Sequence, residues 1–100
     1  VNPERVMTIG FSAGGHLAGT LAAQSRRVLS SPRQDETDSY SATPNAVALI
    51  YPVVTMREPY AHAGSKERLL GRAPSEQDIA SMSVEEQDLY DFAPTLIVHA

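Results

Sequence analysis

The sequence predicts an α/β fold with three parallel strands and flanking helices, and two observations carry that expectation. Three short runs, RVMTIG (5–10), AVALIY (46–51) and TLIVHA (95–100), are almost continuously apolar rather than alternating. This is the pattern of strands buried on both faces, as parallel strands are. The gaps between these runs hold segments with helical spacing or helix-capping signals. The order strand, helix, strand, helices, strand is the alternation of a layered α/β architecture.

The elements follow in order. Residues 5–10 contain β-branched residues, with Pro3 standing just before them. From Ala13 the pattern changes to a small-residue helix. Leu17 and Leu21 are four apart with Ala18, Ala22 and Ala23 beside them, and the helix runs to about Gln24 or Leu29. The polar stretch 30–45, with two prolines and no period, predicts a long loop, either a surface excursion or partly disordered. The second strand, 46–51, is stopped by Pro52, and residues 53–64 read as irregular. SKERLL (65–70) predicts a short helix closed by Gly71. SEQD (75–78) and SVEE (83–86) each set a serine three residues before an acid, so each is a capping-box candidate opening a short helix. That role already accounts for Asp78 and Glu86 without catalysis. The third strand is entered through Pro94.

Composition narrows the function classes. Of the 100 residues, 42% are hydrophobic and 20% charged, which is ordinary globular usage. A net charge of −4, with basic residues scattered apart from Arg26-Arg27, offers no electrostatic case for nucleic acid or an anionic membrane. No apolar run approaches the roughly 20 residues of a membrane span. There are no cysteines, hence no disulfide frame and no thiolate metal site, and three scattered histidines without paired spacing predict no metal. No cofactor motif is present. Both ends read as the interior of a longer domain, so residues 1–100 are expected to be an internal part of a single α/β domain, truncated at both ends. Localisation and oligomeric state stay open.

The chemistry concentrates at Gly10-Phe11-Ser12-Ala13-Gly14, which fits G-x-S-x-G. The motif alone is weak, but here it follows a predicted strand and precedes a predicted helix. A sharp reversal there would project the serine above the C-terminal edge of the sheet, with positive φ at Ser12. Side chains two positions either side would collide with the neighbouring strand and helix, so glycine is expected to be required at both Gly10 and Gly14. The helix would aim its first amides at the site, with the Ala13 N–H placed to stabilise an oxyanion. Two other readings remain open: a serine N-cap between turn glycines, and a phosphate-binding turn. The second lacks both G-x-G-x-x-G and Gly-Lys-Ser/Thr.

The segment RVMTIGFSAGGHLAGTLAA resembles the nucleophile region of α/β-hydrolase-fold serine esterases, in particular the acetyl-xylan-esterase-like, lipase-like carbohydrate esterases. The likeness continues through ALIYPVVTM, AHAGSKERLLG and PTLIVHA, and departs at 30–45. The resemblance implies a serine hydrolase cleaving acyl or acetyl esters, of carbohydrates or small molecules, through an acyl-enzyme with Ser12 as nucleophile. It further implies that the catalytic acid lies a few residues past the third strand and the histidine later still, both beyond Ala100, and that a second oxyanion donor lies upstream. Asp88 and Asp91 precede the third strand and sit at the wrong end of it. His16 and His99 are not favoured as a base, since one reads as packed in the first helical turn and the other ends a strand, and His62 lies in an irregular segment. Tyr51, Pro52 and Val53 are candidates for the acyl-pocket wall. A prolyl-oligopeptidase-type peptidase and a non-catalytic α/β binding module that keeps the turn for packing are the alternatives.

Overall fold

A computed structural model describes residues 1–28, 32 and 35–100, the side chains of Arg26 and Val28 excepted. Three strands, β1 (Met7–Phe11), β2 (Ala46–Ile50) and β3 (Thr95–Val98), form one parallel sheet in the order β1-β2-β3. The expected topology is therefore the observed one, with strand ends shifted by one or two residues: β1 starts two residues later and ends one later than expected, and β2 and β3 end earlier. The register pairs Met7 with Ala46 and Phe11 with Ile50. Asn45 helps set it: its side-chain oxygen accepts from the Val6 N–H at 2.8 Å, and its own N–H donates to the Val6 carbonyl at 2.8 Å.

Helix α1 (Ala13–Val28) lies on one sheet face. Here the leucines of the sequence pattern mislead. Leu17 is exposed and Leu21 only half-buried, whereas Gly15, Ala18, Gly19 and Ser25 are buried. Ala18 and Gly19 lie three and four residues after Gly15, and Ser25 lies seven after Ala18, one stripe of a helix. Its small side chains let the helix settle close to the sheet, where Ala18 joins Val47 and Leu49 in the core with Ala22 and Ala93 against them. A Cβ on Gly19 would already touch Val84 at 3.4 Å.

The opposite sheet face is largely uncovered by the described residues, although Ala48 of β2 is buried there. Met7, Ile9 and Phe11 of β1 share that face with Leu96 and Val98 of β3 by the pleat and register. Each is between 47% and 59% exposed.

Within 30–45, residues 30, 31, 33 and 34 lie outside the described residues. The remainder is more ordered than its polarity predicts. Asp35 caps a short 3-10 helix over Glu36–Ser39, accepting from the Thr37 N–H at 2.7 Å. Thr43 then ties the stretch to α1 by donating to the buried Ser25 hydroxyl at 2.8 Å.

Helix α2 (Ala63–Leu70) begins two residues before the expected start, because the His62 side chain acts as its N-cap. It ends at Gly71, with φ of 82°. Helix α3 (Glu76–Ser81) has the capping box expected of Ser75 and Asp78. The second candidate box is not formed. Residues Val84–Glu86 make only a 3-10 turn without a side-chain cap. The Ser83 hydroxyl is instead committed elsewhere, accepting from the Met56 N–H at 3.0 Å and donating to the Ile79 carbonyl at 2.7 Å. Ser83 is 0% exposed, so these tertiary partners outcompete a cap.

Candidate functional site

Ser12 stands between β1 and α1, at the C-terminal edge of the sheet, with φ of 52°. It is exposed, and its hydroxyl has no hydrogen-bond partner among the described residues. An N-cap serine would use that oxygen to accept from an amide of the first turn, and no such bond is made. The backbone, in contrast, is pinned on both sides. The Ser12 N–H donates to the Ile50 carbonyl at 3.0 Å, and the Ser12 carbonyl accepts from His16 N–H at 3.2 Å and Val53 N–H at 3.1 Å. The turn is thus bolted to the end of β2 and to the chain leaving it. A left-handed backbone at a non-glycine residue costs on the order of 1–3 kcal/mol and persists only when the surroundings enforce it.

The glycines divide differently from the expectation. A Cβ on Gly10 would lie 2.1 Å from the Gly14 carbonyl oxygen and 2.8 Å from Gly15 Cα, so that position admits no side chain. At Gly14 nothing lies within 4 Å, so the expected crowding there is absent. The second obligatory glycine is Gly15, whose Cβ would meet Pro52 Cβ at 2.8 Å and Pro52 Cα at 3.0 Å. The helix leaves the turn so that Gly15 faces the sheet and Gly14 faces outward, a rotation that motif spacing does not reveal.

The amides of Ala13, Gly14 and Gly15 are the first of α1 and have no intrahelical acceptor. The first turn of α1 carries no acidic residue. The positive end of the helix is left uncompensated beside Ser12, an arrangement that favours a developing negative charge.

Other sequence candidates are placed as follows. His16 is only 9% exposed, and its Nε2 donates to the Met82 carbonyl at 2.7 Å. It belongs to a set of side chains closing the C-terminal end of α3. Gln24 Nε2 donates to the Ser81 carbonyl at 2.9 Å, and Gln87 Nε2 reaches the carbonyls of Ala80, Ser81 and Ser83 at 3.0–3.1 Å. The Ser81 and Met82 carbonyls receive no backbone N–H among the described residues, so the bond to Met82 explains a buried histidine four residues after Ser12 without proton transfer. His62 is held at α2 by Ser65, whose N–H donates to Nδ1 at 3.2 Å. His99 follows β3 and is exposed, two strands and roughly 10 Å from the strand that carries Ser12. Asp88 and Asp91 precede β3, at the end of the sheet away from Ser12.

Tyr51, a candidate wall residue by sequence, carries the other non-glycine positive φ among the described residues, 37°. Its N–H donates to the Val98 carbonyl at 2.6 Å, and its ring centroid lies 6.0 Å from that of Phe11 in a tilted pair. Two strained residues therefore end adjacent strands at one edge. Nothing in the order Ile-Tyr-Pro foretells this, since a residue before proline favours extended backbone.

Arg57 ties the chain after β2 to α3 and to the 3-10 turn that follows it. Arg57 Nη2 donates to Glu86 Oε2 at 2.9 Å and Nη1 to Glu76 Oε1 at 2.6 Å, with Nε also on Glu86. The hydrogen bonds from Arg57 hold the Glu86 carboxyl below the usual carboxylate range, and those to Glu86 and Glu76 raise Arg57 further above its own.

The sheet order, the strand–turn–helix and the serine at its crest define the class: an α/β fold of the α/β-hydrolase type. The chain is acetyl-xylan-esterase-like in sequence and in fold. Over 87 residues it is 34% identical to endo-1,4-beta-xylanase B of Butyrivibrio fibrisolvens, covering 87% of this chain and 13% of that protein. Over 72 residues it is 35% identical to an acetylxylan esterase of Xylanibacter ruminicola, covering 72% of this chain and 12% of that protein. Among solved structures it matches an acetyl ester-xyloside bifunctional hydrolase from Caldicellulosiruptor lactoaceticus with a TM-score of 0.87 and 32% identity, over 97% of this chain and 35% of that one. No family model matches the chain. The chain thus spans about an eighth of the length of these curated relatives.

Proposed function

We propose that this chain carries the nucleophile turn of a serine hydrolase that cleaves acetyl or other short acyl esters of carbohydrates. The observation that carries the reading is Ser12 itself: an exposed serine with unpaired hydroxyl and φ of 52°, between a strand end and an uncompensated helix N-terminus. Ser12 Oγ attacks the ester carbonyl, and the tetrahedral oxyanion is met by the Ala13 N–H. Collapse expels the alcohol and leaves an acyl-Ser12, which water then hydrolyses. Gly10 allows the close crossing of strand and helix, and Gly14 continues the turn into α1. The names of the relatives favour a carbohydrate ester as substrate.

The catalytic acid and base belong to sequence flanking these 100 residues, within the same domain. Two things support this. The histidines here are a helix cap, a carbonyl partner and a residue two strands away. The largely uncovered apolar sheet face also calls for further elements of the domain to cover it. The chain alone is accordingly inactive on esters.

The test is p-nitrophenyl acetate hydrolysis and fluorophosphonate labelling by a polypeptide carrying this chain with its flanking sequence, by its Ser12→Ala variant, and by the chain alone. The longer polypeptide should be labelled and active. Ser12→Ala should abolish labelling and lower kcat by several orders of magnitude, as loss of a triad member does. Activity surviving Ser12→Ala would assign the turn to packing, the binding-module alternative. Turnover by the chain alone would mean that it holds its own base.

A further inference from the structure

Beside the turn lies a groove of about 340 Å³ between α1 and α2. Ala13, next to Ser12, lines it, with Leu17, Val53, Met56 and Leu69 as apolar lining and Arg68 as charged lining. Its size falls within the roughly 300–1,000 Å³ of small-molecule sites and far exceeds an acetyl group. The groove therefore suits the alcohol part of an ester whose acyl carbon sits at Ser12.

Arg68 is set apart from the cations around it. Arg57 is paired with Glu76 and Glu86, Lys66 with Glu58 at 3.2 Å, and Arg72 with Glu67 at 2.9 Å. Arg68 makes no ion pair or hydrogen bond among the described residues, although Glu67 is its chain neighbour. Its guanidinium lies over Gly64, where a Cβ would come within 3.3 Å of Nη1. The chain as a whole carries a net charge of −4, so its overall field does not attract anions. Any anion selected here is selected locally.

Resting on the reading of Ser12 as nucleophile, we propose that this groove binds the sugar of the ester with its apolar ring face against Leu17 and Leu69, and that Arg68 selects sugars bearing a carboxylate. A planar guanidinium with free donors matches a carboxylate in a two-pronged, charge-assisted bond. The preferred substrate is then an acetylated uronic acid rather than its neutral counterpart.

The experiment compares acetylated methyl glucuronoside with acetylated methyl glucoside, in the polypeptide with its flanking sequence and in its Arg68→Gln, Arg68→Lys and Arg68→Glu variants. The acidic-to-neutral ratio of kcat/KM should fall on the order of tenfold to hundredfold in Arg68→Gln, the worth of one hydrogen bond to a charged group. The loss should appear in KM. Arg68→Lys should keep part of the preference, and Arg68→Glu should reverse it. The preference should shrink as salt is added. Calorimetric binding of the same two esters to Ser12→Ala protein repeats the comparison without turnover, so it reads Arg68 even if Ser12 is not the nucleophile. Equal binding of both esters by the Ser12→Ala protein, or a ratio unmoved by Arg68→Gln and Arg68→Glu, overturns the proposal.

Discussion

Gly10→Ala and Gly14→Ala should behave oppositely, although the motif treats the two glycines alike. At Gly10 the new methyl would sit 2.1 Å from the Gly14 oxygen, 2.6 Å from Gly14 C and 2.8 Å from Gly15 Cα. Every one of these atoms is backbone, so no rotamer change relieves the contact. The first is close to an ångström inside the 3.0 Å that real Cβ contacts keep. Overpacking a tight site costs about 1–3 kcal/mol, and a clash with backbone alone belongs at the upper end, about 3 kcal/mol. Relief requires the start of α1 to slide away from β1, carrying Ser12 and the Ala13 amide with it. A displacement of about 1 Å at a reacting group costs on the order of 10²-fold in rate. Gly14→Ala, inside the helix with open space around it, should instead gain about 0.5–1 kcal/mol from the smaller entropy lost on folding. The assay is urea unfolding of both variants in the polypeptide with its flanking sequence, alongside ester hydrolysis. The two stabilities should differ by about 4 kcal/mol. A Gly10→Ala protein within 1 kcal/mol of the parent, or a Gly14→Ala protein as damaged as Gly10→Ala, would refute the geometry on which the site rests.

Two further outcomes follow from the packing around the turn. Ser83→Ala should cost about 1–3 kcal/mol in urea unfolding, because it leaves the Met56 N–H and the Ile79 carbonyl unpaired beside a methionine only 1% exposed. Glu86→Gln should destabilise at neutral pH but not in acid. The Glu86 carboxyl titrates below its ordinary range in the folded chain because of Arg57, so its contribution is complete above the unfolded value near 4.3 and is lost as pH falls through the lower folded value. Unfolding midpoints of parent and variant should therefore converge below the carboxylate range, and a gap constant with pH would remove Arg57–Glu86 as its cause.

The sequence by itself determined the layer architecture and the position of the strained serine turn. Continuous apolar runs such as 46–51 mark strands of the parallel, layered kind, so strand type and parallel pairing were legible without coordinates, although only β2 is largely buried among the described residues. Gly-x-Ser-x-Gly between a strand and a helix constrains the backbone so tightly that the positive φ of Ser12 was legible too. Ser75 with Asp78 also declared itself, because a capping box closes within four residues. What only the tertiary structure decided depends on partners distant in the chain. Ser83 and Glu86 have the same local spacing as a capping box, but Met56, Ile79 and Arg57 claim their side chains. Leu17 and Leu21 repeat like a core stripe, yet the close approach of helix to sheet selects Gly15, Ala18 and Gly19 for burial and leaves Leu17 free to line the groove. The choice of Gly15 over Gly14 as the second indispensable glycine is set by Pro52, thirty-seven residues on. Local rules stop where a side chain's partner is chosen by the path of the rest of the chain.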